Sequence, residues 1–164
     1  MERARARDAI AAICRDAASA FDGDRLWALP PGDDEPKTPA DGVLRGLYVG
    51  AAGVLHALGR LAEAGLHVPR LDRAAIAGGL HEAALGSPNE EGAGASLLVG
   101  SSGILVVAHR LAPSAASAQA LKRAIAAKAE HPSNALPLSA PGTMLAARAM
   151  PAPASTLRAA VAGK

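Results

Sequence analysis

The sequence predicts an all-α protein built from repeated helical hairpins, and two observations support this prediction. The first is a segment that occurs three times, in which a turn of small residues precedes an apolar run; its last glycines are Gly53, Gly103 and Gly142. The steps between these glycines are 50 and 39 residues, a spacing typical of helical repeat proteins. The second is composition: 50% of the residues are hydrophobic but only 2% are aromatic, which favours closely packed helices over a β-sandwich.

The first part of the chain divides into a helix and a long connection. Apolar periodicity predicts a helix over residues 6–22, with an apolar stripe that runs through Ile13 and Phe21. Residues 22–42 are rich in proline, glycine and acidic side chains, which indicates an irregular loop. Trp27 lies in this loop and is expected to cover the core, with a ligand platform as the alternative.

The same periodicity predicts five further helices, over residues 51–64, 73–85, 101–111, 115–129 and 141–150. Gly65 is the expected C-terminal stop of the first of these, and Asp72 the N-cap of the second. Gly78 and Gly79 weaken that second helix unless another backbone packs against them. Residues 151–164 predict a frayed tail at the end of a single domain.

Charge and hydropathy argue against two classes of partner. The formal net charge is +2, and no basic stripe is interleaved with aromatic residues, so nucleic-acid binding is not expected. No apolar stretch approaches the roughly 20 residues of a membrane span. Cys14 is the only cysteine, so no intrachain disulfide can form, and we expect it to behave as a small buried hydrophobe. Together with the absence of a signal-peptide pattern, this predicts a cytoplasmic location.

Each of the three turns contains one or two glycines. We predict a structural role for these glycines, which allow positive φ or close backbone approach where the chain enters a helix. The alternative is that exposed amide groups at the helix start bind an anion. The turns lack the Lys-Ser/Thr of a P-loop and the preceding strand of a dinucleotide fold, which favours the structural role. The predicted turn residues are Gly50, Gly53, Gly100, Gly103 and Gly142.

The three segments also carry a family resemblance. They read L-Y-V-G-A-A-G-V-L-H-A-L from Leu47, L-L-V-G-S-S-G-I-L from Leu97, and H-P-S-N-A-L-P-L-S-A-P-G-T-M-L-A-A from His131. In this order they resemble successive repeat blocks of the lanthionine synthetase C-like proteins, over about residues 22–150. The resemblance implies an α/α toroid of about seven helical hairpins, of which this chain would hold about three as a partial toroid.

The resemblance also implies a chemistry. Cyclases of the family hold one zinc ion with two cysteines and a histidine, and the metal activates a cysteine thiolate that adds to a dehydroamino acid. Some relatives bind glutathione and add it to dehydrated residues. The Cys and Cys-His-Gly blocks that supply the ligands are missing here, and Cys14 lies outside the matching segments. We therefore expect no catalytic residues, no metal and no cofactor in this chain.

Three functions remain at this point. The first is a truncated or degenerate lanthionine synthetase C-like protein that is not a competent cyclase alone. The second is a non-catalytic helical-repeat module that binds a peptide, or a complementary or homologous chain. The third, a glycoside hydrolase built on a hairpin toroid, is weaker because no paired carboxylates occur at the turns that precede the repeat helices.

Overall fold

A computed structural model of the protein describes residues 2–24, 26–27, 43–86, 96–129, 145, 146 and 148. Within these residues the chain is mostly helical, with five helices and one two-stranded antiparallel sheet. The elements are α1 (Glu2–Ser19), β1 (Phe21–Asp22), β2 (Leu26–Trp27), α2 (Ala51–Glu63), α3 (Arg73–Gly86), α4 (Ser101–Leu111) and α5 (Ala115–Ala129). The last predicted helix falls mainly outside the described residues, although Leu145, Ala146 and Arg148 are helical. Most of the predicted loop and the whole predicted tail also lie outside them.

The end of the first predicted helix is wrong. Helix α1 ends at Ser19, and Phe21 instead pairs with Trp27 in a short β-hairpin. An aspartate starts the turn: the side chain of Asp22 accepts a hydrogen bond from the Asp24 amide at 2.8 Å. Residues 23–25 lie between the paired Asp22 and Leu26, so the hairpin has a three-residue connection. This hairpin replaces the last turn of the predicted helix.

The hairpin joins α1 to the core. The indole Nε1 of Trp27 donates to the Ala17 carbonyl at 2.7 Å, and its ring lies 5.1 Å from that of Phe21, centroid to centroid. Both rings pack against the buried core, so Trp27 covers the core as expected. Ile13, predicted on the apolar stripe, is 66% exposed, whereas Cys14 beside it is only 3% exposed. Ile10 and Ala17 of the predicted stripe are half-buried, so the stripe is wrong only at Ile13, where Cys14 is buried instead.

Helix α4 lies at the centre of the described structure. It packs against α2, α3 and α5, and every residue from 102 to 109 is buried. A helix that is apolar on all sides is stable only when it is covered on all sides, which explains this position. No helix in the described part of the chain is both long enough and apolar enough to cross a membrane.

The neighbouring helices bury the side chains that periodicity predicts. Ile76, Leu80 and Ala84 recur at every fourth position of α3 and are all buried. In α5, Leu121 and Ile125 are buried in the same way. These five residues belong to one continuous core that includes α4.

Side chains and glycine fix the ends of the helices. Asp72 is confirmed as the N-cap of α3, because its Oδ1 accepts a hydrogen bond from the Ala75 amide at 3.0 Å. At the end of α2, Ala64 is the C-cap and Gly65 follows it with a φ of 75°. Glycine adopts this left-handed conformation without the strain that other residues would carry, so the predicted stop is confirmed.

Two serines start α5 and connect it to α4. Ser114 Oγ accepts from the Ser117 amide at 3.0 Å, and Ser117 Oγ accepts from the Ser114 amide at 3.1 Å. This reciprocal pair forms a capping box with serine in the position usually taken by glutamate. The buried Ser117 Oγ also lies 2.7 Å from Nδ1 of His109 on α4. The first turn of α5 is thus hydrogen-bonded to the central helix.

Gly78 occupies an exposed position in the middle of α3. A Cβ added there would meet no atom within 4 Å, so the described residues provide no packing reason for a glycine. We expect Gly78→Ala to raise the free energy of unfolding by about 0.5–1 kcal/mol, because alanine loses less backbone entropy in a helix. Urea unfolding followed by circular dichroism measures this change. A lower midpoint in the variant would show that the site is crowded.

Candidate functional site

The first two repeat turns lie side by side. The Tyr48 amide, in the turn before α2, donates to the Leu98 carbonyl, in the turn before α4, at 2.8 Å. A Cβ added at Gly103 would lie 3.0 Å from the Cβ of Leu47, so the Leu47 side chain lies against the backbone of the second turn. The first two copies of the sequence repeat are therefore neighbours in space.

The second glycine of each turn makes the same contact. Gly53 packs against the carbonyl oxygen of Leu47, and Gly103 packs against the carbonyl oxygen of Leu97. In both cases the partner lies six residues earlier, and a Cβ on the glycine would overlap its oxygen. The repeat seen in the sequence thus has an equivalent close backbone contact in both copies.

The first glycines of the two turns differ from each other. Gly50 has φ 136° and ψ −171°, a conformation open almost only to glycine. Gly100 has φ −121°, which is ordinary extended backbone. Gly142, predicted for the third turn, lies outside the described residues.

The amides at the start of α2 already have backbone partners. Ala51 and Ala52 donate to the carbonyls of Leu44 and Arg45, at 2.9 and 3.2 Å. The Gly53 amide lies 3.0 Å from the Gly50 carbonyl and is therefore also paired. These contacts satisfy the donors that an anion would need, so they favour the structural role of this turn over anion binding.

Apolar side chains stand on the outside of the two turns. Tyr48 is 74% exposed, Val49 is 54% exposed and Val99 is 38% exposed. Val49 and Val99 are equivalent positions of the repeat, each one residue before the first glycine. We call these three residues the turn surface. Because backbone hydrogen bonds hold both turns, the surface rests on an ordered support.

A second candidate lies away from the turns, and we call it the cleft. It has a volume of about 660 Å³ and lies between α2, the start of α3 and the end of α4. Apolar residues of these helices form part of its walls. Its titratable residues are His56, Arg60, Glu63, Asp72, Arg73 and Arg110.

Two arginines share one carboxylate in the cleft. Arg60 pairs with Oε2 of Glu63 on the same helix, and Arg110 of α4 lies 3.2 Å from Oε1. Each guanidinium thus takes one oxygen. All three residues are exposed, and ion pairs of this kind typically contribute only about 0–1 kcal/mol to stability. The ion pairs bring the two guanidinium groups to the Glu63 carboxylate but hold them there only weakly.

His56 lies on the wall of the same cleft. Burial lowers the pKa of its imidazole, and the charges of Arg110 and Arg60 lower it further, while Glu63 opposes them. Both effects disfavour the protonated ring. The neutral ring of His56 is therefore favoured over the protonated form, and a neutral imidazole can donate or accept a hydrogen bond.

Sequence reasoning found the turns but missed the cleft. The spacing of Arg60 and Glu63 on one helix was a readable signal for an ion pair. Arg110 lies 47 residues from Glu63, and only the packing of α4 beside α2 brings them together. Periodicity identifies the buried face of each helix but does not show which exposed side chains meet.

The described residues do not fit the zinc centre that the family resemblance implies. That centre needs two cysteines and a histidine, whereas Cys14 is buried in α1 and is the only cysteine in the sequence. Among the residues that the structure describes, no three His, Cys, Asp or Glu side chains come together as metal ligands would.

Comparisons of the chain with protein-family models, curated proteins and solved structures gave no significant match. The resemblance to lanthionine synthetase C-like proteins therefore depends on the three sequence blocks. The structure describes the first two turns in full. Function is inferred from these turns and from the cleft.

The contact at Gly103 predicts a large effect of a small change. We expect Gly103→Ala to lower the free energy of unfolding by about 2–3 kcal/mol, because its methyl group would displace the Leu97 carbonyl in the buried core. Gly59→Ala is the matched control, since a Cβ on that helical glycine meets no atom within 4 Å. Chemical unfolding should show the control unchanged or stabilised. Equal destabilisation of both variants would contradict the tight contact.

The environment of His56 predicts a pH dependence. A proton NMR titration should give His56 a midpoint below the usual histidine value of about 6.5, and Arg110→Gln should raise it. The folded state binds the proton less well than the unfolded state. The free energy of unfolding is therefore unaffected by His56 when the pH is above the pKa of the unfolded state. It decreases as the pH drops below that value toward the lower pKa of the folded state. A His56 midpoint above that of an exposed histidine would contradict this assignment.

Proposed function

We propose that this chain is a helical-repeat module of the lanthionine synthetase C-like kind and that it binds a peptide through its turn surface. In this proposal α2 with α3, and α4 with α5, are successive hairpins of an α/α array. The equivalent glycine contacts of the two turns support the array, and so does the position of α4 between α2, α3 and α5. Each such hairpin buries its faces against its neighbours.

One observation carries the binding proposal. The hydrogen bond from Tyr48 to Leu98 sets the two turns side by side, with Tyr48, Val49 and Val99 exposed. Aromatic residues are enriched where proteins bind partners, because a ring offers a large contact area and the phenol adds a hydrogen bond. A support that is ordered before binding reduces the entropy lost on association.

A peptide is the ligand that fits this surface best. Val49 and Val99 occupy equivalent positions of the repeat and offer two similar apolar contacts on neighbouring turns. Successive side chains of an extended peptide can occupy two such contacts. The family resemblance points the same way, because the cyclases of that family act on peptides. The proposal assigns the surface to binding, and no chemical step is attached to it.

Selection from a displayed random-peptide library tests this function. We expect peptides with apolar residues to be enriched, and their affinity to fall about tenfold or more in a Tyr48→Ser/Val99→Ser variant. Both changes remove exposed side chains, so the fold should persist. Fluorescence polarisation with the selected peptides measures the affinities.

Leu85→Ser is the matched control for these variants. Leu85 is 50% exposed like the residues of the turn surface, but it lies at the end of α3. We expect the control to bind the selected peptides as well as the unchanged protein does. Failure to enrich any peptide, or an equal loss of affinity in the control, would refute the turn surface as the binding site.

A further inference from the structure

Glu63 occupies a position in the cleft that a ligand could take. Arg60 and Arg110 come from two different helices and hold the two oxygens of its carboxylate, one each. The three side chains are exposed, so the ion pairs exchange readily with solvent. The two guanidinium groups are thus placed so that each donates to one oxygen of a single carboxylate.

We propose that the cleft binds a small organic acid, whose carboxylate takes the place of Glu63 between Arg60 and Arg110 and whose apolar body lies against the cleft wall. Arginine suits this role because its planar guanidinium matches the geometry of a carboxylate. Glu63 then acts as an internal competitor that the ligand carboxylate displaces.

The charges of the cleft favour an added anion. Three arginines, Arg60, Arg73 and Arg110, face two carboxylates. One of these, Asp72, already caps α3 through the Ala75 amide. A ligand carboxylate would therefore enter a site with an excess of positive charge.

The walls of the cleft explain why the ligand should carry an apolar body. Ala62, Leu71 and Leu111 are half-buried and line it together with the charged groups. Its volume of about 660 Å³ lies within the roughly 300–1,000 Å³ of small-molecule sites. At Gly59 the wall has no side chain, and a Cβ there would meet no atom within 4 Å. This leaves room for the body of the ligand beside the arginine pair.

Benzoate is a suitable probe, and benzamide is its neutral control of the same shape. We would titrate both into the isotopically labelled protein and follow the resonances of the cleft residues by NMR. Benzoate should shift them with saturation, whereas benzamide should bind at least about tenfold more weakly, because it cannot form the two charged hydrogen bonds. Inorganic phosphate serves as a third probe, which has charge but no apolar body.

Substitutions of opposite effect make the test specific. Glu63→Gln removes the internal competitor and should tighten benzoate binding about three- to tenfold, whereas Arg110→Gln should weaken it about tenfold. Gly59→Leu should block the cleft. Gly78→Leu, at an equally open glycine on α3 outside the cleft, should leave binding unchanged.

Three results would overturn the proposal. The first is equal binding of benzoate and benzamide, and the second is unchanged or weaker binding of benzoate to Glu63→Gln. The third is phosphate binding as tight as that of benzoate, which would remove the role of the apolar wall. The Tyr48→Ser/Val99→Ser variant should bind benzoate normally, so failure of the peptide proposal leaves this test intact.

Discussion

The close contact between Gly103 and the Leu97 carbonyl governs the rest of the described structure. It allows the chain to turn sharply beneath its own backbone and to begin α4 against the turn that precedes α2. Every residue from 102 to 109 is buried, so α4 needs neighbours on all sides. Its entry point therefore determines where α2, α3 and α5 can pack. A side chain at this glycine would move the central helix, and its three neighbours would have to move with it.

The regular helices could be predicted from the sequence because local signals agree there. In α3 the N-cap Asp72 and the buried side chains at every fourth position indicate the same segment, and the structure has both. The end of α1 was mispredicted because two local signals disagree. Apolar spacing predicts a helix through Phe21, whereas Asp22 pairs with Leu26 across a three-residue hairpin connection. Turn chemistry prevailed because the hairpin places Phe21 against the core.

The two candidate sites differ in how far the sequence predicts them. The glycines of the turns recur in similar sequence segments, so their shared role can be inferred before the fold is known. The cleft has no such repeat. Glu63 meets Arg110 only because α2 and α4 are neighbours, and that is a tertiary fact. The lowered pKa of His56 also depends on this packing, since Arg110 contributes to it.

The link between His109 and the capping box has a consequence for the order of folding. His109 and Ser117 are only eight residues apart, so the loop that brings them together closes at small entropic cost. The contacts between α2 and α4 span a much longer stretch of chain and close later. Helices α4 and α5 thus form a local unit that can assemble before the rest. The apolar surface of this unit is the one that α3 and α2 later pack against.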